Sequence, residues 1–519
     1  MIKKLFTSQR IKIFAIFAAI IFAAYIGLLN PTYNCDNYGG RMNNIDQMSF
    51  GEFFNSIEVV NNGRHATIIY WLIHAPLSKL GFTYYQNQWL FFAIDIIVLA
   101  IAAALIYEIF AKQLKIKKPS IPLILAIGLV VVHPFMVESL AFMIPSHPQA
   151  LIFTALALLY ITKKEKGAKT FLLAALFATL AISTYQSYYS LLLILALPLV
   201  FIQNEGKINK KLWLSILRVF AITAIGIAIV LIASKIHSAA LGISTAKDVT
   251  FSLSPHFLLS RTKTLLTTYF SEMWRPYGIY PTGLIYGLLS IFMIGIATIL
   301  IQKKKIKELI LIVLAMVFLF FSPVYYGIIA STFYLAPRIT TATFAVLGIG
   351  AILIIYYLPQ SIKKQQHIIE KSMLALLIAV TIFNVYKCST LVTDIQISNR
   401  MEMANLRLIG ERIKDYEQKT GKTITYIKFR PGDADAITTH DTYNTNNGKL
   451  ERSSHFLTST EWSTLAALNK VAGTNYQGEV MTNEEFQKYF SDIELIDYSF
   501  FDPDKRLEFV DDCMYWVAY

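Results

Sequence analysis

The chain has 519 residues, 55% of them hydrophobic and only 16% charged, with a formal net charge of +13. The apolar residues come in long uncharged runs, which excludes an ordinary soluble protein. The basic residues are dispersed between those runs, which removes the nucleic-acid reading that so basic a chain would otherwise invite.

The first run, residues 13–29, holds no charge and reads as a transmembrane helix, because lipid offers backbone groups no partners but each other. Its length, the lack of a small-x-small cleavage pattern and the polar stretch that follows at once favour an uncleaved helix over a signal peptide. Continuing along the chain, about eleven spans are expected, at 11–29, 89–110, 121–137, 149–161, 171–183, 187–202, 212–233, 280–301, 309–321, 339–358 and 373–386. Lys3, Lys4, Arg10 and Lys12 flank the first. "KQLKIKK", "KKEKGAK", "KINKK", "KKKIK" and "SIKKQQ" follow every second span, whereas 133–147, 184–186 and 322–337 hold no Lys or Arg. This alternation places the N-terminus in the cytoplasm and the C-terminus outside.

Three large pieces are then external: the first outer loop (30–88), 234–279, and the tail. Within the tail, "ISNRMEMANLRLIGERIKDYEQKTGK" has helical spacing with Gly421 as a C-cap, while "TITYIKF" and "LEFVDDCMYWVAY" read as strands. The expected fold is an α-helical polytopic membrane protein. It divides into a membrane domain (1–387) and a small extracytoplasmic α/β domain (388–519). Cys35, Cys388 and Cys513 are too few for a disulfide framework, although a Cys388–Cys513 bridge is allowed in an oxidising compartment.

Polar groups concentrate in the external connections. The first carries Asp36, Asn37, Arg41 and "NGRH", with Arg64 and His65. The second, "HPFMVESLAFMIPSHPQA", carries His133, Glu138, His147 and Gln149. Then come "STYQSYY" with Tyr185, Gln186, Tyr188 and Tyr189, "SEMWRPY" with Arg275, and "YLAPRIT" with Arg338. Asp36 suits catalysis or a turn, His133 and His147 a ligand set or helix caps, and the tyrosines a binding surface or the interfacial aromatic belt. Glu138, buried in an apolar run, calls for a function or a salt bridge, and Arg338 for an anionic partner. Asp95 lies inside a span and is open to either reading.

The ordered set "CDNYGGR", "NNGRH", "HPFMVES", "TYQSYY" and "APR", spread from Asn30 to Arg338, resembles the GT-C superfamily of polyprenyl-phosphate-sugar-dependent glycosyltransferases. It is most similar to the bacterial O-antigen glucosyltransferases of the serotype-converting kind (Gtr type II-like). The resemblance implies transfer of glucose, or a similar hexose, from an undecaprenyl-phosphate donor to a surface-polysaccharide hydroxyl at the outer face of the cytoplasmic membrane, with inversion. The family's acidic pair is Asp36-Asn37 here, which leaves Asp36 as the one candidate base. Arg41, Arg64, Arg275 and Arg338 are the candidates for the donor phosphate or the acceptor. Asn37, His65, His133, Glu138, Tyr185, Gln186 and Tyr189 would line the sugars. Asp36, His133 and Glu138 are the candidate ligands for a divalent cation, Mg or Mn. Competing readings are another outer-face glycan enzyme, such as a polymerase, and a flippase. The tail would bind acceptor glycan or serve as a passive scaffold.

Overall fold

The structure is a computed structural model; it describes residues 8–33, 48–60, 63–83, 86–141, 146–165, 167–242, 254–329, 335–360, 363–432, 457–458, 460–493 and 501–518. Its helices are α1 (Ser8–Tyr25), α2 (Ile68–Lys79), α3 (Gln88–Gln113), α4 (Ile121–Val131), α5 (Pro134–Ala141), α6 (Ser146–Ile161), α7 (Ala168–Thr184), α8 (Tyr188–Gln203), α9 (Lys210–Ala240), α10 (Pro255–Trp274), α11 (Leu284–Gln302), α12 (Ile306–Phe321), α13 (Ala342–Tyr357) and α14 (Lys363–Thr420). Among the described residues, seven helical segments are long and apolar enough to cross a membrane: those of α1, α3, α9, α11, α12, α13 and α14. The bent pair α4–α5 would make an eighth, while α6, α7 and α8 are shorter apolar helices. Beside the expectation of about eleven spans, the described residues thus hold seven long helices, one broken pair and three shorter apolar helices.

The break between α4 and α5, a bend of 48°, follows from Pro134. A proline has no N–H to continue the ladder and pushes the residue before it out of the helical region. Carbonyls freed inside an apolar bundle need other donors. The Tyr25 hydroxyl donates to the Val131 carbonyl (2.8 Å) and the Asn384 side-chain amide to that of Val132 (2.7 Å). The Tyr25 oxygen in turn accepts the His133 N–H (3.2 Å). Close packing tightens the bundle around this break: a Cβ on Gly348 of α13 would collide with the Ala126 carbonyl of α4.

The lysine-bearing connections meet at one end of the bundle. Arg10 pairs with Glu108 (2.6 Å), Lys115 reaches Glu205 (3.7 Å), and Glu308 takes both Lys305 (3.1 Å) and the Tyr357 hydroxyl (2.9 Å).

Helix α14 runs 58 residues without interruption. Cys388, Leu391, Val392 and Ile395 lie in the core of the apolar bundle, whereas Leu406, Ile409 and Ile413 belong to the core of the tail. The tail adds β1 (Tyr426–Arg430), α15 (Glu461–Ala472), β2 (Gln477–Val480), α16 (Asn483–Phe490), β3 (Leu507–Val510) and β4 (Cys513–Val517). The four strands form one mixed sheet in the order β2-β1-β4-β3, with β1 parallel to both neighbours and β3 antiparallel to β4. Cys388 and Cys513 are both free thiols, so the allowed bridge does not form: one is sealed in the bundle core and the other sits on a strand of the tail.

Candidate functional site

Gly63 starts the construction. Its φ of 61° suits a residue without Cβ, and the space a Cβ would take is bounded by Val230, Ser234 and the Gln186 amide, which brings "NGRH" against α9 and the α7–α8 turn. Hydrogen bonds fix the loop there. The Ser183 hydroxyl accepts the Ala66 N–H (3.2 Å) and contacts the Gly63 carbonyl, and the Ser234 hydroxyl donates to Val60. The Arg64 guanidinium consequently lies 5.0 Å from the centre of the Tyr185 ring, a cation–π geometry.

Tyr185 leads to His147, whose ring is 4.5 Å from it and 5.3 Å from Tyr188. The Tyr188 hydroxyl donates to the His147 carbonyl (2.9 Å). His147 is 2% exposed, and among the described residues neither of its ring nitrogens has a hydrogen-bond partner. It lies within electrostatic reach of Arg64, Arg338 and His133. Nothing local in the sequence sets His147 above the other histidines of the external connections. The visible signal was a histidine one residue into a helix that opens on "SHPQ".

The anion that Arg338 calls for is Glu138. Its carboxylate pairs with the guanidinium and also accepts the Arg338 main-chain N–H (3.1 Å). Both groups are buried. His133, one residue before α5, stacks on Phe344 at 4.4 Å with the planes 3° apart. Tyr277 packs edge-on against Phe135 (5.2 Å) and lies within electrostatic reach of Glu138 and Arg338. Its φ of 47° is unusual for a bulky residue, and such backbone strain concentrates at functional sites. Arg275, the candidate in "SEMWRPY", lies exposed at the end of α10. Tyr277 went unselected because nothing local marks a tyrosine held in a left-handed turn.

Two other selected residues stand apart. The Tyr189 hydroxyl is committed to the Ser322 carbonyl and the Tyr326 N–H (2.9 Å), which makes it a staple between elements. His65 meets His237 (Nε2 to Nδ1, 3.2 Å), and His237 continues to the Asn55 amide oxygen (2.9 Å). Burial and the neighbouring imidazole hold the His65 pKa below its ordinary value. Asp95 is buried in α3, its Oδ2 without a hydrogen-bond partner among the described residues.

Asp36, Asn37 and Arg41 lie outside the described residues. The chain just before them is firmly held: Thr32 N–H donates to Gln88 (2.9 Å), Tyr33 N–H to Asn399 (2.6 Å), and Gln396 donates to the Gly27 carbonyl. Among the described residues no three His, Cys, Asp or Glu side chains gather as a metal site would require. Glu138 is engaged by Arg338, and His133 is stacked on Phe344 with neither ring nitrogen hydrogen-bonded among the described residues.

"NGRH", "HPFMVES", "SHPQ", "TYQSYY" and "APR", far apart along the chain, therefore converge on one largely buried, cation-bearing cluster. Searches of curated proteins and of solved structures return no match. The family model described as "Glucosyl transferase GtrII" matches residues 25–356, a stretch that contains every one of these motifs. With well over half of its length so matched, the chain belongs to the GtrII glucosyl transferase family.

Proposed function

We propose that this glucosyltransferase moves glucose from undecaprenyl phosphate to a hydroxyl of a surface polysaccharide of the O-antigen kind, at the outer face of the bacterial cytoplasmic membrane, with inversion at the anomeric carbon. The observation that carries this reading is the convergence of Arg64, Tyr185, His147, Arg338 and Glu138 within a chain of the glucosyl transferase family. The lysine-bearing connections, gathered at one end of the bundle, support a cytoplasmic placement of that end.

The chemistry asks little of a general acid. A lipid phosphate is a weak base and leaves as an anion, so the protein must mainly hold negative charge and accept one proton. Forked guanidinium donors match phosphate oxygens and stay charged at any working pH. Arg64, held over the Tyr185 ring, and Arg338, oriented by Glu138, supply that charge. The face of Tyr185 and the ring nitrogens of His147 would receive a pyranose and its hydroxyls. Asp36 is the proposed base: its carboxylate takes the acceptor hydroxyl proton as that oxygen attacks the anomeric carbon and the bond to the phosphate oxygen breaks.

The test is reconstitution. The full chain in lipid nanodiscs, given undecaprenyl-phosphate-[14C]glucose and delipidated host polysaccharide, should place label on the polysaccharide. Absence of transfer from this donor, with transfer from a nucleotide-glucose instead, would overturn the reading.

A further inference from the structure

The tail carries a second site. At the carboxyl ends of β1 and β2, an open cleft of about 530 Å³ is lined by Arg430, Thr460, Glu461, Trp462, Met481 and Asn483, with Pro431 and Val480 completing it. Its volume falls in the ordinary range of small-ligand clefts, roughly 300–1,000 Å³, and its position at strand carboxyl ends is where α/β sheets commonly bind ligands.

We propose that this cleft binds a saccharide of the acceptor polysaccharide, with Trp462 as the stacking platform; the inference rests on the glucosyltransferase reading for the identity of the glycan. Three features specify that chemistry. First, Trp462 is 58% exposed in the first turn of α15, beside the exposed Val480. An aromatic face left open to water in a cleft suits the apolar C–H side of a pyranose. Second, the polar lining is mixed: Arg430 and Asn483 offer donors and Glu461 an acceptor, as a ring of hydroxyl groups requires. A site with one sign of charge would suit an anion better.

Third, hydrogen bonds tie the elements around the cleft to one another. Glu402 of α14, fully buried, accepts the Leu457 N–H (2.9 Å), the Thr458 N–H (3.1 Å) and the Thr458 hydroxyl (2.9 Å), which pins the chain leading into α15. The Gly432 N–H donates to the Thr458 carbonyl (2.9 Å), tying that lip to the end of β1. On the other wall the Arg430 guanidinium lies 4.5 Å from the centre of the Phe486 ring and contacts the Asn483 amide oxygen (3.3 Å). Met481 N–H donates to the Phe429 carbonyl (2.8 Å). A preformed wall of this kind lowers the ordering cost of binding a flexible glycan.

The experiment uses the full chain in nanodiscs and delipidated host polysaccharide as the probe, with binding read by biolayer interferometry and transfer read separately. Trp462→Ala should weaken polysaccharide binding at least tenfold, while Trp462→Phe, which keeps an aromatic face, stays within about threefold of the parent. Transfer to a single-repeat acceptor should be unchanged in Trp462→Ala, and KM for the long polysaccharide should rise. Should the alanine variant fold poorly, Trp462→Gln, which keeps a good helix former at an exposed position, takes its place with the same expectation. Parent-like binding by folded Trp462→Ala or Trp462→Gln overturns the cleft while leaving glucosyl transfer standing. Trp462-dependent binding by a protein that transfers no glucose overturns the enzyme reading and leaves the cleft standing.

Discussion

Glu138 holds Arg338 twice, once through the guanidinium and once through the main-chain N–H, so a single carboxylate fixes both the direction and the root of that arginine. Removing one partner of a buried pair strands the other charge, at a cost of about 3–5 kcal/mol. Arg338→Ala and Glu138→Ala should each lower the melting temperature and abolish transfer. The double variant Glu138→Leu/Arg338→Met should recover most of the melting temperature with no recovery of transfer. Recovered transfer would make the pair purely structural.

Asp36→Asn should reduce transfer by about 10²–10⁴-fold, the usual contribution of a positioned general base, with donor binding and membrane insertion retained. Near-parental turnover in the nanodisc assay would remove Asp36 from that role.

Arg64→Lys keeps the charge but loses the planar, forked guanidinium that sits over Tyr185. KM for the lipid-linked donor is expected to rise about tenfold, with a smaller change in kcat. An unchanged KM would show that this guanidinium does not meet the donor.

The pair His65–His237 makes one region sensitive to acid. The folded-state pKa of His65 is depressed by burial and by its neighbour. A depressed histidine stabilises the fold fully above its unfolded value, about 6.5. That stability is lost as the pH falls from about 6.5 through the lower folded value, because the unfolded chain takes up a proton the folded one resists. Amides of residues 63–67 should therefore exchange faster with solvent deuterium at pH 5.5 than at 7.5, after correction for intrinsic rates. His65→Gln should flatten that difference.

Gly348→Ala tests the packing around the broken helix. Added bulk in a filled interior typically costs about 1–3 kcal/mol, and here the obstacle is the backbone carbonyl of Ala126, which cannot swing aside. A lower melting temperature is expected, and an unshifted one would contradict the close approach of α4 and α13.

The apolar runs made the helices legible, because a stretch that must satisfy its own backbone in lipid has little compositional freedom. The break at Pro134 was visible as a residue but not as a consequence: the donors that rescue the freed carbonyls, Tyr25 and Asn384, come from helices far along the chain. The same distance hid His147 and Tyr277, whose importance comes from Arg64, Glu138 and Arg338 rather than from their own neighbours. Conversely, the need for an anion beside Arg338 and for a partner to Glu138 could be read separately, and the structure joins the two. A tyrosine stapling a backbone, as Tyr189 does, looks in sequence like one facing a ligand. In the tail, "TITYIKF" and "LEFVDDCMYWVAY" announced strands, whereas the short "QGEV" of β2 has no alternation to reveal it.

The unbroken helix α14 acts as a ruler. From Ile395 in the lower core to Leu406 in the upper one is eleven residues, about 16 Å of rise. Removing seven residues from that stretch would lower the Trp462 cleft by about 10 Å while turning it by only about 20°. Removing two would swing it to the opposite side of the rod at almost the same height. Reach and bearing are thus separately adjustable along one helix.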